Sequence, residues 1–365
     1  MVRPRTTSVE LLNPSYGLYH DPKTGKRIST NSMLKTFKHC PKEAEYKYVH
    51  RLKPRLLGGP LKRGVWVHEL LEDLHNGIDW RIRHAKLSAK FAEMLDEEKD
   101  YYGNMPVEIA GIMECYEWHY QLDPWVVIDT EFQLDAELPD GTILRGKVDG
   151  LIENSLGLWL VDHKTHRSIP DLRYRMLDAQ SAFYIWLALK NKIRVQGFIW
   201  NYVRWKMPST PELLKNGSRL SKTACDTDYV TLKRALETYK RERGYNPSKE
   251  DLAWLNRLKG LQYRPGMPQE STFFRREVIE KDTAMLRRVI QGNYTTSKRM
   301  HSYDFTDPDK VERNVDRGCS YCSYADVCTA ELMGVNTLPI IKQNFIVGDP
   351  NDYYNDRAGD IPEKD

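Results

Sequence analysis

The chain has 365 residues, 40% hydrophobic and 29% charged, with a net charge of +4. This length allows a sizeable core, as two domains or one domain with large insertions. The composition is that of a soluble globular protein, and no apolar run reaches the roughly 18 residues of a membrane span. The charge is uneven: residues 346–365 carry six acids against two bases, so the remainder carries +8. A basic body suits a polyanionic partner, because lysine and arginine displace counterions from phosphates.

In chain order, residues 1–31 read as an N-terminal extension. Its opening Met1-Val2-Arg3-Pro4-Arg5 has no apolar secretory stretch after it, so a cytoplasmic location is expected. A helical region, 32–120, begins with Ser32 as cap and breaks near Cys40-Pro41. It resumes as a basic, aromatic helix through Tyr46, Tyr48 and His50. Gly58-Gly59-Pro60 punctuates the chain. A helix is then expected from Gly64, with Val65, His68, Leu71, Glu72 and His75 at helical spacing. Further helices fill 80–120, with a break at Gly103-Asn104-Met105-Pro106.

Between 121 and 205 the pattern turns to strands. Runs at 125–138, 142–152 and 158–165, separated by turn signals at Pro139-Asp140-Gly141 and 154–157, predict an antiparallel meander. A helix over 173–191 and a strand over 195–205 follow. Residues 206–270 form an insertion or second lobe, with helices near 230–243 and 248–262. Residues 271–335 hold a strand at 272–278, a helix to about 292 and a cysteine-rich segment. Residues 336–365 form an acidic tail, its last part expected to be flexible. The fold class is α/β, a mixed sheet flanked by helices.

The strand at 158–165 carries the chemistry. Residues two apart share a strand face, so Leu158, Leu160, Asp162 and Lys164 project together. An apolar face that ends in a carboxylate and an ammonium needs partners or a ligand. Across the preceding turn, Asp149 adds a second carboxylate. Two carboxylates beside a lysine suit a hard divalent cation such as Mg2+ or Mn2+, with the main-chain carbonyl of His163 as a further ligand. Such an ion promotes phosphodiester hydrolysis by neutralising phosphate oxygens and lowering the pKa of water. The lysine can orient water or stabilise the transition state. Gly141-Thr142-Ile143-Leu144-Arg145-Gly146-Lys147 matches most of a phosphate-binding P-loop. It continues with Val148 where Ser or Thr is needed, and it is β-forming, so no nucleotide site is expected there.

Taken together these residues form a series. Gly146-Lys147-Val148-Asp149 stands thirteen residues before Asp162-His163-Lys164-Thr165. Upstream lies Gly64-Val65-Trp66-Val67-His68, and downstream Gln180-Ser181-Ala182-Phe183-Tyr184. The series resembles the PD-(D/E)XK nuclease superfamily, in particular its RecB-like branch. The resemblance implies a restriction-endonuclease-like sheet core and DNA phosphodiesterase activity. It makes His68 a metal ligand with Asp149 and Asp162, and Lys164 the catalytic lysine. Gln180 and Tyr184, four apart on one helix face, would contact DNA or support the lysine. Glu131 stands where the family often has a glutamate, but is expected to be structural. Lys47, Tyr48 and Arg51 could line a strand path.

Cys319-x2-Cys322-x5-Cys328 brings three of the six thiols close in sequence, and Cys40 is the candidate fourth ligand. Cys115 and Cys225 are expected to be free. The chain is similar, over about 32–330, to CRISPR-associated iron–sulfur exonucleases and AddB-type nuclease domains. A phage-encoded relative also fits. That resemblance implies a 4Fe-4S cluster on these four cysteines, joining the N- and C-terminal segments; zinc on the same thiolates is the rival. The expected function is a DNA exonuclease acting at single-stranded regions or ends in recombination, repair or CRISPR adaptation, with a protein partner from such a system and no membrane. The alternatives are an endonuclease or RNA-processing enzyme with the same site, and a non-catalytic DNA-binding adaptor.

Overall fold

The computed structural model describes residues 20–348, apart from 22, 23, 171–174, 176, 215, 216, 223, 224 and 270. The acidic stretch 349–365 and most of the N-terminal extension lie outside the described residues.

A short strand, β1 (Ile28–Thr30), runs into α1 (Asn31–His39). The cap is Thr30 rather than Ser32: its hydroxyl accepts from the Met33 N–H at 3.2 Å, and Met33, Leu34 and Phe37 form the buried face. The expected break falls at Cys40-Pro41, where α2 (Pro41–Ala44) passes into a π-helical turn over Glu45–Val49. Then come β2 (Leu52–Pro54) and α3 (Gly59–His75). The Gly58-Gly59-Pro60 signal opens this helix instead of preceding it, because proline is accepted in a first turn that has no N–H partner anyway. Helices α4 (Trp80–Ala92), α5 (Asp96–Tyr102) and α6 (Met105–His119) follow.

The meander is present as β3 (Val126–Glu137), β4 (Ile143–Asn154) and β5 (Gly157–His166). Helix α7 (Ala179–Lys190), shorter than expected because Asp178 caps it, leads to β6 (Gly197–Arg204). Helices α8 (Tyr229–Arg243) and α9 (Lys249–Gly260) precede β7 (Phe274–Ile279). The chain closes with α10 (Thr283–His301), a 3-10 turn over Arg317–Tyr321, α11 (Ala325–Leu332), α12 (Leu338–Asn344) and β8 (Phe345–Val347).

The main sheet runs β1-β4-β5-β6-β7, and β3 also pairs with β4. Strand β4 is the pivot. Its first residues, Ile143–Arg145, pair with β1, and its last, Gly150–Asn154, pair with β5. Between those two stretches β5 leaves β4 and continues against β6 alone, from Asp162 opposite Trp200 to His166 opposite Arg204. The fork opens at Asp149 and Asp162. The extension 1–31 therefore supplies a sheet strand, which its polar composition did not suggest.

One apolar cluster joins the sheet to α1, α7 and α10; a second gathers α3, α4, α5 and α6 against the ends of β6 and β7. Residues 206–270 have a small core of their own, built on Leu220, Leu232, Leu236, Tyr245, Trp254 and Leu258. Two motif glycines have packing reasons. A Cβ on Gly146 would meet the Tyr184 ring at 2.6 Å and Leu187 at 2.8 Å, and one on Gly64 would lie 3.0 Å from the Thr165 hydroxyl. These contacts seat α7 and α3 against the strands that carry the carboxylates.

The N- and C-terminal parts of the described residues meet. Strand β2 pairs antiparallel with β8, and the Tyr324 hydroxyl donates to the Leu52 carbonyl at 2.8 Å. Buried Lys42 bonds Glu331 at 2.8 Å and Glu45 at 2.6 Å; Tyr46 donates to the same Glu331. These contacts join residues 42–54 to residues 324–347 directly. Among the described residues, no helix is long and apolar enough to cross a membrane.

Candidate metal-dependent active site

The fork between β4 and β5 assembles the site. Asp149, on β4, turns its carboxylate into the gap and accepts from the His163 N–H at 2.7 Å. Helix α3 brings His68, whose Nδ1 lies 3.3 Å from Asp149 Oδ2. Strand β3 brings Glu131, which pairs with Lys147 at 3.1 Å. Among the described residues, His68, Glu131 and Asp149 are a group whose ligand atoms all lie within 4.8 Å of one another. Two carboxylates and one imidazole form an oxygen-rich donor set suited to Mg2+ or Mn2+.

Glu131 is the residue that sequence reasoning left out. Its φ of +52° is unusual for a residue with a side chain, and its neighbours pair as Thr130 with Gly150 and Phe132 with Val148. It therefore stands opposite Asp149, in a left-handed conformation that costs on the order of 1 kcal/mol and persists only where the surroundings enforce it. Counting back from the 139–141 turn places it there.

Asp162 was expected among the ligands. It stands beside that group rather than within it. Gln180 Nε2 donates to its Oδ1 at 2.6 Å, and Lys164 forms a close ion pair with its other oxygen. Burial pushes its carboxyl up to about 7; Asp149 acts in the same sense, and Lys164 pulls against it. Lys164 keeps 28% of its side chain exposed, and its Nζ lies 5.1 Å from the centre of the Trp200 ring. The lysine is thus anchored yet open to a ligand.

The His163 imidazole projects from the strand face opposite Asp162 and Lys164, its ring 5.7 Å from that of His68. Its Nδ1 lies 2.7 Å from the Asn201 amide, which also donates to the Tyr116 hydroxyl. Burial holds this imidazole well below its usual pKa, so it is neutral.

Two aromatic side chains of the expected set lie in the core. Tyr184 is 8% exposed and stacks on Phe198 at 6.0 Å, in the core against Gly146. Its place is packing, with Gln180, one turn earlier on α7, supplying the contact to the site. Tyr48 is 3% exposed in the same core, so it offers no stacking face to a strand; Lys47 lies over its ring at 5.3 Å.

The cysteines are also placed differently from a closely gathered set. Zn–S bonds of about 2.3 Å put tetrahedral thiolates about 3.8 Å apart. Among the described residues no three cysteine sulfurs lie within 4.8 Å of one another. The zinc-type arrangement is not formed. Packing sets the spacing, because Cys322 and Cys328 sit against the cluster of Tyr46, Leu52, Tyr324 and Phe345 that joins the chain ends. Cys40 and Cys319 are nonetheless near enough to Cys322 to raise its thiol further, after burial and Glu43, and Arg313 hydrogen-bonds Cys328. Buried Cys115 stands apart, 3.9 Å from the Thr231 hydroxyl.

No curated protein matches the chain. A solved structure titled "Crystal structure of SSO0001" aligns over 68% of this chain and 81% of its own, at 14% identity and a TM-score of 0.26, a likeness too slight to carry any inference. A family model described as the PD-(D/E)XK nuclease superfamily matches residues 29–329, from β1 through the third clustered cysteine. With the carboxylates and lysine of the fork inside that span, the chain belongs to the PD-(D/E)XK nuclease superfamily.

Proposed function

We propose that the protein is a metal-dependent DNA exonuclease acting on single-stranded regions or ends, in recombination, repair or CRISPR adaptation. The observation that carries this reading is the meeting of His68, Glu131 and Asp149 beside the Asp162–Lys164 pair. His68, Glu131 and Asp149 would hold Mg2+ or Mn2+, with Asp162 and the His163 carbonyl alongside. When bound, the ion neutralises phosphate oxygens and lowers the pKa of water. Gln180 fixes the Asp162 carboxylate, and that carboxylate fixes the Lys164 ammonium. The ammonium is then in place to meet negative charge developing on a phosphate in the transition state. The RecB-like motif series and the basic body support DNA as substrate.

The test uses anaerobically purified protein with 5′- and 3′-labelled linear DNA, single- and double-stranded, in Mg2+, Mn2+ or EDTA. Mononucleotides or short oligomers from labelled ends, absent in EDTA, are expected, with circular single strands spared. Cleaved circles would show an endonuclease, and a preference for RNA would show an RNA-processing enzyme. Folded protein that binds DNA and cleaves nothing would be the adaptor.

Cys40, Cys319, Cys322 and Cys328 are proposed to hold a 4Fe-4S cluster. Cys322 and Cys328 sit against the cluster of Tyr46, Leu52, Tyr324 and Phe345, with Cys40 and Cys319 near Cys322, and the motif series supports the assignment. Cys322→Ala is expected to lose iron and sulfide and to melt at lower temperature, measured by metal analysis, visible absorbance and calorimetry. Full iron content in that variant would sink the assignment.

A further inference from the structure

The face of β5 that carries Asp162 and Lys164 continues to His166. Strand pairing puts Trp200 opposite Asp162 and Tyr202 opposite Lys164. The two rings floor a patch just past the lysine. The Arg175 guanidinium lies over both, 5.1 Å from the centre of Trp200 and 5.3 Å from that of Tyr202. The His166 ring lies 5.8 Å from the Tyr202 ring. Lys164, His166 and Arg175 are mutually close: burial depresses the His166 imidazole, and Arg175 and then Lys164 depress it further. Asp178 is the acid beside Arg175, at 3.1 Å. Two buried donors on the floor, the Tyr202 hydroxyl and Trp200 Nε1, make no hydrogen bond to any described residue.

Two cations, Lys164 and Arg175, stand with the His166 imidazole above buried, unpartnered donors, a set of hydrogen-bond donors suited to an anion. Two residues of strand span about 6.6 Å. Lys164 and His166 therefore repeat at a spacing that suits neighbouring charges on an extended polyanion. On the nuclease reading above, we propose that Arg175 and His166 bind the phosphate next to the scissile one on the substrate strand, with the buried Tyr202 hydroxyl beneath them. This subsite takes a phosphodiester, reading the backbone and no base. It fixes which linkage stands over Lys164, and so the direction in which the strand is laid across the fork.

The test pairs a protein change with a substrate change. The main cut in a labelled single strand is mapped first; single methylphosphonates, which remove the charge, then replace each flanking linkage in turn. Neutralising one flank and not the other is expected to slow the wild-type enzyme about 10- to 100-fold, the worth of one charge-assisted hydrogen bond. Arg175→Ala should lose the same factor on unmodified DNA and lose nothing more on the neutralised strand. Arg175→Lys should recover part of the rate. Equal losses on modified and unmodified strands, or indifference to charge at both flanks, would overturn the subsite. If no variant and no substrate gives metal-dependent cleavage, the nuclease reading fails by itself. The subsite is then read from binding in EDTA. Losing one phosphate contact on single-stranded DNA should lower the slope of log affinity against log salt by about 0.7. An unchanged slope in both Arg175→Ala and His166→Gln would overturn the subsite independently.

Discussion

Replacing Lys164 by alanine is expected to reduce the metal-dependent cleavage rate about 10²- to 10³-fold while leaving DNA affinity nearly unchanged. The argument is one of position. The ammonium is partly exposed, pinned by Asp162 from one side and by the Trp200 face from the other. A group held that firmly costs no reorganisation when charge develops beside it, and its loss appears in kcat rather than in KM. The fold should survive, because the side chain lies at the sheet's open end and outside the apolar clusters. One adjustment is expected: Asp162 loses a partner that holds its carboxyl down, so its pKa rises further. The measurement is single-turnover cleavage beside equilibrium binding of the same oligonucleotide. A rate within a few-fold of wild type would remove Lys164 from the chemistry and leave the fork a metal and DNA-binding site without its proposed centre.

Much of this arrangement was legible in the sequence. Asp162 and Lys164 could be placed on one face because strand periodicity is strict, and the meander could be read because its turns are tight. The same turn arithmetic would have put Glu131 opposite Asp149. What hid it was expectation, since a glutamate inside a β-rich run looks like the exposed face of a hairpin. No residue type announces a left-handed φ in a strand. Gln180 was expected to contact DNA or support the lysine, and its hydrogen bond goes to Asp162, the partner of Lys164. The packing of the Tyr184 ring where Gly146 has no side chain was not legible, because it is a tertiary complement that periodicity along α7 does not encode. The strand β1 was missed because three residues give too short a pattern, and its pairing with β4 is a long-range contact. Three cysteines were legible from linear spacing, and Cys40 joined them only through the resemblance. Their actual separation is set by how Tyr46, Tyr324 and Phe345 pack, which spacing cannot carry.

Asp149→Asn and Glu131→Gln are expected each to weaken Mn2+ binding by at least the 10- to 100-fold typical of outer-shell changes, since both remove a charged donor from the central group. Asp149→Asn should be the more severe. Asp149 also accepts from the His163 N–H and faces His68, so its charge holds three elements of the fork together. Glu131→Gln keeps the shape but removes the carboxylate that pairs with the largely buried Lys147 side chain, so it should also lower stability. The pH dependence supplies a second readout. Without a cation, burial keeps a proton on Asp162 up to about pH 7. A divalent ion in the fork favours the carboxylate, so binding below pH 7 must expel that proton, and binding above it need not. Apparent affinity should therefore fall as pH drops below about 7, by up to tenfold per unit for this one proton, and level off above. Asp162→Asn removes that slope, leaving only the part contributed by His68, which must be neutral to donate. Titration of Mn2+ followed by its free-ion EPR signal, from pH 5.5 to 8.5, measures both effects at once. If Asp149→Asn binds Mn2+ as wild type does, the fork is not the metal site. If Asp162→Asn keeps the full slope, the carboxylate beside Lys164 does not sense the ion, and the link between metal and lysine on which the proposed chemistry depends is broken.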